Sequence, residues 1–476
     1  MILRTVISVL LVLLIAGTAF VIIYDNGEPG RKLAWLLIIA LLPALGLVLY
    51  FCFGINWRHH WFFNRRHQRY MDAFLSGTDE RVNTLLFDVG RTEQLPEAYR
   101  PLSLLLSSQS SLTVSGDNDF EIITSGKRKF DLLVEDLSHA RESIHMEYFH
   151  FGNDAGSRVI KEILMKKAQE GVEVRFINEN IANFPISSVY YDDMKKAGVQ
   201  VEKFTNPRNH LVNLVTVLNY RDHRKIVVID GKIGYTGGMN INDKYFLHWR
   251  DTHLRLTGSS VSALQFVFLD SWLMAGGTLD RPVRDYFPQP EAVSGKFVQI
   301  VPDEPLADLP VLQMSYEWAI SHTRNYIWLQ TPYFVPPEPV LNALLAAAIG
   351  GADVRIMLPA RADNFFMRPA NRLHFRELVA AGVKIYLRGG EFIHSKTLVS
   401  DDYLSSVGTA NLDYRSFSIN YEVNAYVYDR ETALRCKAVF EEDMRLSTLV
   451  TQEWVDNLKW YHRFAEGLVG LFATIL

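Results

Sequence analysis

Two uninterrupted apolar runs open the chain, and regular alternation follows. Residues 5–24 carry no charge and are mostly Val, Ile, Leu and Ala; residues 25–32 are polar, and residues 33–53 form a second apolar run. Each run is about 20 residues, enough to cross a bilayer core as a helix rising about 1.5 Å per residue. No small-residue cleavage site follows Tyr24, and the second run begins almost at once. This pattern predicts a transmembrane hairpin rather than a cleaved leader.

Beyond residue 115 the apolar positions switch between period two and period 3.6. Residues 120–124 read as strand, 129–142 as helix, 143–151 as strand, 159–169 as helix and 172–177 as strand. The order then returns, with strand over 326–334, helix over 339–349, strand over 354–358, helix over 372–381 and strand over 383–387. Such alternation predicts an α/β fold, a mixed sheet flanked by helices. Residues 282–290, with Pro282, Pro288 and Pro290, mark a link between the halves. The chain turns helical after Asp429, and its apolar tail over 467–472 is too short for a third span. That tail is expected to pack on the membrane surface or on the hairpin.

The central stretch runs from Tyr220 to Asp230. Polar Arg221, Asp222, His223, Arg224 and Lys225 lead into Ile226, Val227, Val228 and Ile229, a buried strand ending in a turn at Asp230-Gly231. His223 and Lys225 are two apart on a strand, so they emerge on one side. His394, Lys396 and Asp401 repeat the spacing H-x-K-x4-D. Gly237 and Asn240 follow His223 by 14 and 17 residues, and Gly408 and Asn411 follow His394 by the same distances. An acid lies 28 residues after each histidine, Asp251 and Glu422. The first copy has about 13 more residues than the second between its Gly-Val pair and its histidine, within 203–219. They are placed to shape substrate entry or to form an inert loop.

These residues resemble the HKD signature of the phospholipase D superfamily, H-x-K-x4-D followed by G-x-x-N, present twice within about residues 115–430. With the apolar runs, the chain resembles bacterial cardiolipin synthases. The resemblance implies two phospholipase D-like sandwich domains related by a pseudo-two-fold axis, here 116–285 and 286–430. They would be preceded by the hairpin (1–56) and a basic, aromatic juxtamembrane helix and linker (57–115), and followed by C-terminal helices with a membrane-proximal tail (431–476). It implies transfer of a phosphatidyl group between two phosphatidylglycerol molecules, giving cardiolipin and glycerol, with no metal or other cofactor. The motif's catalytic set is His223, Lys225, Asp230, His394, Lys396 and Asp401.

Displacement at a phosphodiester needs a nucleophile on one side and a proton donor on the other, and imidazole suits both because its pKa lies near neutrality. The resemblance gives the attack to His223 and the proton to His394; the residues themselves leave that choice open. Lys225, Lys396, Asn240 and Asn411 would hold the phosphate oxygens. Asp251 and Glu422 would accept from the far ring nitrogen and fix the tautomer. Asp230 and Asp401 sit at turns and read as anchors of the hairpin rather than proton carriers. Glu147, Gln330 and Arg221 are candidates for the pocket lining. His145, His150, His248 and His253 have no repeated partner and read as structural.

Charge narrows the partners. The 476 residues hold 49 basic and 53 acidic side chains, a net charge of −4. That balance disfavours nucleic acid, although phosphodiesterases acting on it share the motif. Hydrolytic phospholipases D share it too, with water in place of the second lipid. The two cysteines, Cys52 and Cys436, form no framework, and no Cys/His cluster suggests a metal. Arg4, Arg58, Arg65, Arg66 and Arg69 flank the hairpin, against Arg31 and Lys32 between its runs. The count puts the catalytic bulk on the cytoplasmic face of a bacterial inner membrane. Trp57, Trp61, Phe62 and Phe63 interleave with those arginines, and His59, His60 and His67 lie among them, as in a segment at headgroup depth.

Overall fold

A computed structural model of the chain describes residues 2–24, 29–54, 71–72, 74–183, 186, 188–204, 220–291, 293–305 and 307–471. The expectations for the loop at 25–28, the juxtamembrane segment at 57–70 and the insertion at 205–219 lie outside these residues.

Helix α1 (Ile2–Tyr24) is continuous. Its Thr5–Tyr24 stretch is, among the described residues, the one helix long and apolar enough to cross a membrane. The second apolar run departs from expectation and divides into α2 (Pro29–Leu41) and α3 (Pro43–Phe53). Pro43 has no amide hydrogen, and its ring would collide with the carbonyl four residues back, so the helix stops before it. α3 then folds back on α2. Trp35 and Tyr50 meet edge to face at 5.4 Å, where unbroken helix would separate them by about 22 Å. The two pieces, 13 and 11 residues long, reach about 20 and 16 Å against a core of about 30 Å. Neither is the second span that a hairpin requires.

The rest is organised by one mixed sheet. Its first-half strands are β1 (Ser115–Ile123), β2 (Ser143–Tyr148), β3 (Glu173–Glu179), β4 (Gln200–Phe204), β5 (Lys225–Ile229), β6 (Ile233–Gly237) and β7 (His253–Thr257). The second half supplies β8 (Lys296–Asp303), β9 (Tyr326–Gln330), β10 (Asp353–Pro359), β11 (Lys384–Arg388), β12 (Thr397–Ser400), β13 (Leu404–Gly408), β14 (Asn420–Tyr428) and β15 (Ser447–Val450). The order across the first half is β4-β3-β2-β5-β6-β7-β1. It continues as β8-β14-β13-β12-β9-β10-β11, with β15 at the edge. Each first-half strand thus has its counterpart seven strands later, at the mirrored place. β1 pairs antiparallel with β8, Ser115 opposite Val298, so one sheet runs through both halves.

β2, β3 and β4 are parallel, as are β9, β10 and β11. Parallel neighbours need crossovers, and the expected helices appear at Ala155–Gln169 and Glu338–Ile349. The helix expected over 372–381 is instead two short ones, Met367–Arg372 and Phe375–Ala380. Helix Ser260–Ala275 has no counterpart in the sequence reading. All of it except Asp270 and Met274 is buried, so its sequence carries no amphipathic period. It packs on β4, β5 and β8 behind the first histidine strand. Fully buried Leu264, Phe268 and Leu269 each contribute about 1.5–3 kcal/mol through removal from water.

Candidate active site

β5 and β12 carry the two motifs to the centre of their respective halves of the sheet, and each half holds the other in place. The His223 amide donates to the Tyr421 carbonyl at 2.9 Å, and the His394 amide donates to the Arg250 carbonyl at 2.7 Å. Alternation along the strand works as expected. Arg224 points away from His223 and Lys225, and its guanidinium donates to the Glu422 carbonyl (3.2 Å) and Ser271 Oγ (2.9 Å). Lys225 Nζ donates to the His223 carbonyl (2.7 Å), and Lys396 Nζ donates to the His394 carbonyl (2.6 Å).

The carboxylates cross between halves. Both oxygens of Glu422 lie 2.9 Å from His223 Nδ1, and Asp251 Oδ2 lies 2.7 Å from His394 Nδ1. Each acid therefore serves the histidine of the opposite half, which the shared 28-residue offset alone does not reveal. His223, His394, Asn240 and Asn411 line one cavity of about 700 Å³. Asn240 Nδ2 donates to Tyr245 Oη at 2.8 Å. Asn411 Oδ1 is buried without a hydrogen-bond partner.

Asp230 and Asp401 lie elsewhere. Asp230 accepts from the backbone amides of Arg141, Glu142 and Ser143 at 2.8–3.0 Å. Asp401 accepts from those of Arg324, Asn325 and Tyr326 at 2.7–3.0 Å. Both have positive φ, 53° and 49°. They tie the turns after β5 and β12 to the starts of β2 and β9. Their place in the motif is that of scaffold, not of proton-carrying group.

Burial sets the electrostatics. It lowers the His223 pKa, with Lys225 adding to it, and outweighs the pull of Glu422. His394 is lowered well below its ordinary value by burial, then by Lys396 and Lys225. Burial also brings Lys225 down to about 8 and Lys396 to about 7, against the attraction of Glu422 and Asp251. Burial works to raise Glu422, yet His223 and Lys225 hold it below the usual range. Asp251 is pushed up to about 6 by burial despite Lys396. The site at rest thus has neutral imidazoles and two lysines held below the ordinary lysine range, a setting that an anion relieves.

Of the three candidate lining residues, Arg221 lines the cavity, held by Glu179 at 3.2 Å. Glu147 is buried outside it, its pKa raised by burial and then by Asp222. Gln330 is buried outside it as well, donating to Asp443 at 2.9 Å. His145 bonds Gln265 and Glu173, as a structural residue does. His150, read as structural, forms part of the cavity wall.

The sequence reading missed Lys244 and Arg415, which also line the cavity. A signal existed, because each follows its motif histidine by 21 residues. Each stands one residue into a short helix whose N-caps, Asn242 and Asp413, also line the cavity. Tyr245 and Trp249, also missed, stand at ring distances of 5.3 and 5.0 Å from His394.

Residues 133–271 and 317–444 match the family model described as the cardiolipin synthase, phospholipase D-like domain. Residues 12–54 match a phospholipase D-nuclease N-terminal model. The chain is 36% identical to the cardiolipin synthase of Geobacillus sp. (strain WCH70) over 481 residues, covering 98% of this chain and 93% of that protein. It is 34% identical over 480 residues to the major cardiolipin synthase ClsA of Bacillus subtilis (strain 168), covering 98% of both. In fold it resembles the phosphatidylserine synthase of Haemophilus influenzae Rd KW20, with a TM-score of 0.58 at 15% identity over 80% of this chain and all of that one. That likeness concerns the fold alone, and the phospholipase D-like description comes from the family model. Matched over more than half its length by the family model, and over nearly all of it by relatives above 30% identity, the chain belongs to the cardiolipin synthase family of phospholipase D-like phosphatidyltransferases.

Proposed function

We propose that the chain joins two phosphatidylglycerol molecules into cardiolipin and releases glycerol. The observation that carries this is the meeting of both histidines and both asparagines in one cavity, each histidine backed by the other half's carboxylate and with its motif lysine bonded to its own carbonyl. The bound phosphate anion favours the charged form of His394, which takes up a proton as the lipid binds. His223 Nε2 then attacks phosphorus, the bond to the glycerol headgroup breaks, and His394 gives that oxygen its proton, leaving a phosphatidyl-histidine. The glycerol hydroxyl of the second lipid then returns a proton to His394 and attacks phosphorus, and the P–N bond breaks. Lys225, Lys396, Asn240 and Asn411 hold the non-bridging oxygens, and preset donors of this kind are worth several kcal/mol in other enzymes.

The acceptor lipid carries its own phosphate, and water does not. Lys244 and Arg415 give the wall a second pair of cations outside the motif, which supports transfer over hydrolysis. The mirrored strand order supports two phospholipase D-like domains, 116–285 and 286–430, about a pseudo-two-fold axis. The apolar N-terminus anchors the protein in the bacterial inner membrane. As a hairpin, its flanks carry five basic residues against two between the runs. With Thr5–Tyr24 as the single crossing, six follow it (Arg31, Lys32, Arg58, Arg65, Arg66 and Arg69) and Arg4 precedes it. Either count puts the cavity on the cytoplasmic side.

The test is purified protein in mixed micelles with labelled phosphatidylglycerol. Cardiolipin and free glycerol in equal amounts are expected. Phosphatidic acid as sole product would make the protein a hydrolase, and no turnover of any phospholipid would remove the lipid reading.

A further inference from the structure

The terminal helix Trp460–Gly470 is turned inside out. The side it presents to the protein carries Glu466, paired with Arg372 of helix Met367–Arg372 at 3.2 Å. Val469 packs against the cluster of Val335, Met367 and Ala370, and Gly470 approaches the Leu373 side chain. The outward side carries Trp460, 77% exposed, Phe464, 66% exposed, and exposed Leu468, with Leu471 just beyond. Residues at this spacing share one face of a helix. A water-facing helix normally shows the opposite arrangement, so this face is built for an apolar medium.

Its position suggests which medium. Helix Met367–Arg372 follows directly on Phe365 and Phe366, both exposed, Phe365 by 87%. Phe366, Met367 and Tyr333 line the catalytic cavity. The terminal helix is therefore seated beside the rim of the cavity, with its apolar face turned outward. Exposed cations flank the helix: Arg368 and Lys459 act on His462, and Arg463 and Arg376 act on Glu466. Aromatic and aliphatic side chains ringed by Arg and Lys match the depth profile of an anionic lipid surface, apolar below and negative at the headgroups.

We infer that the outer face of the terminal helix, with Phe365, is a lipid-docking rim that seats the mouth of the catalytic cavity on an anionic bilayer. The inference rests on the phosphatidyl-transfer reading and supplies what that reading lacks. A phosphatidylglycerol phosphate must reach His223 while its acyl chains stay out of water. A tether through α1 alone would keep the protein near the membrane without orienting the cavity toward it.

The test uses the full chain in vesicles of phosphatidylglycerol and phosphatidylcholine, and the triple variant Trp460→Ser, Phe464→Ser, Leu468→Ser. The variant is expected to lose about tenfold of its rate on vesicle lipid and to keep its rate on short-chain, monomeric phosphatidylglycerol. In parallel, a polarity-sensitive fluorophore on Phe464→Cys, in a Cys52→Ser, Cys436→Ala background, is expected to be quenched by brominated acyl chains. Unchanged rates on both substrates would overturn the proposal. So would loss of both together with a lower melting temperature, which would mean the face packs on α1–α3 or another protein segment. If the wild type turns over neither substrate, the transfer reading fails by itself, and quenching of the fluorophore still decides the docking.

Discussion

The two half-sites start from one motif and finish in different surroundings. His223 faces both oxygens of an ionised Glu422, which also accepts from Thr409 Oγ1 (2.5 Å) and Asn420 Nδ2 (3.3 Å). His394 faces one oxygen of Asp251, a carboxyl pushed up to about 6, with Lys396 Nζ 3.1 Å from its Nε2 and aromatic rings at its sides. A firmly ionised, fully accepting carboxylate supports the positive charge that an imidazole gains on attacking phosphorus. A weaker carboxylate beside a lysine suits a ring that takes and returns a proton. The backbone is mirrored, and the chemistry is divided. This division supports the proposal that His223 is the attacking ring.

The hardest way to break that assignment is to remove each histidine. His223→Ala and His394→Ala should each lower cardiolipin formation by about a thousandfold or more. They should part company on a phosphatidyl ester of p-nitrophenol, whose leaving group needs no proton. His394→Ala should then still accumulate phosphatidyl-His223, seen by mass spectrometry, and His223→Ala should accumulate nothing. A covalent adduct on His394 instead would reverse the roles.

The carboxylates come next. Glu422→Gln should cost on the order of a thousandfold in kcat, as loss of an orienting carboxylate does elsewhere. Asp251→Asn should cost about ten- to a hundredfold, because its charge is already compromised by burial. Equal losses would mean that the division of labour lies elsewhere. Smaller again is the rim. Lys244→Ala or Arg415→Ala should shift product from cardiolipin toward phosphatidic acid by about tenfold, the weight of one lost charge contact to the acceptor phosphate. An unchanged product ratio, measured on the same labelled lipid, would remove these cations from acceptor binding.

What the sequence disclosed follows from what repeats. His223 and His394, their lysines, asparagines and acids stand at fixed offsets, and repetition made them visible without a structure. The pairing of the acids was hidden because it crosses the interface between halves, and offsets along one strand carry no information about that interface. Lys244 and Arg415 share an offset of 21 residues too, and were legible by the same rule that shows the acids. Helix Ser260–Ala275 was invisible for another reason: a segment buried on all sides has no polar face to reveal its period. At the N-terminus, composition suggested a second span, and a single Pro43 overrode about 20 apolar residues.

The finest distinction between the half-sites is their hold on protons. Lys225, down to about 8, keeps most of its charge at pH 7.5, and Lys396, down to about 7, has lost most of it. A bound phosphate anion favours the charged form of both and returns their pKa values toward the ordinary lysine range. Binding must therefore add protons to these lysines between the resting pKa values and the bound ones, and few below pH 6, where both are already charged. The sign follows: affinity for a dialkyl phosphate, a monoanion throughout this range, should fall as pH rises above 7. Calorimetry in buffers of different ionisation heat should count roughly one proton taken up by the lysines at pH 7.5, beyond that on His394. Lys396→Met should remove most of that uptake and Lys225→Met the smaller part, even though each variant loses a phosphate ligand. If the two variants take up protons equally, the half-sites share one electrostatic setting, and the physical case for His223 as the attacking ring is gone.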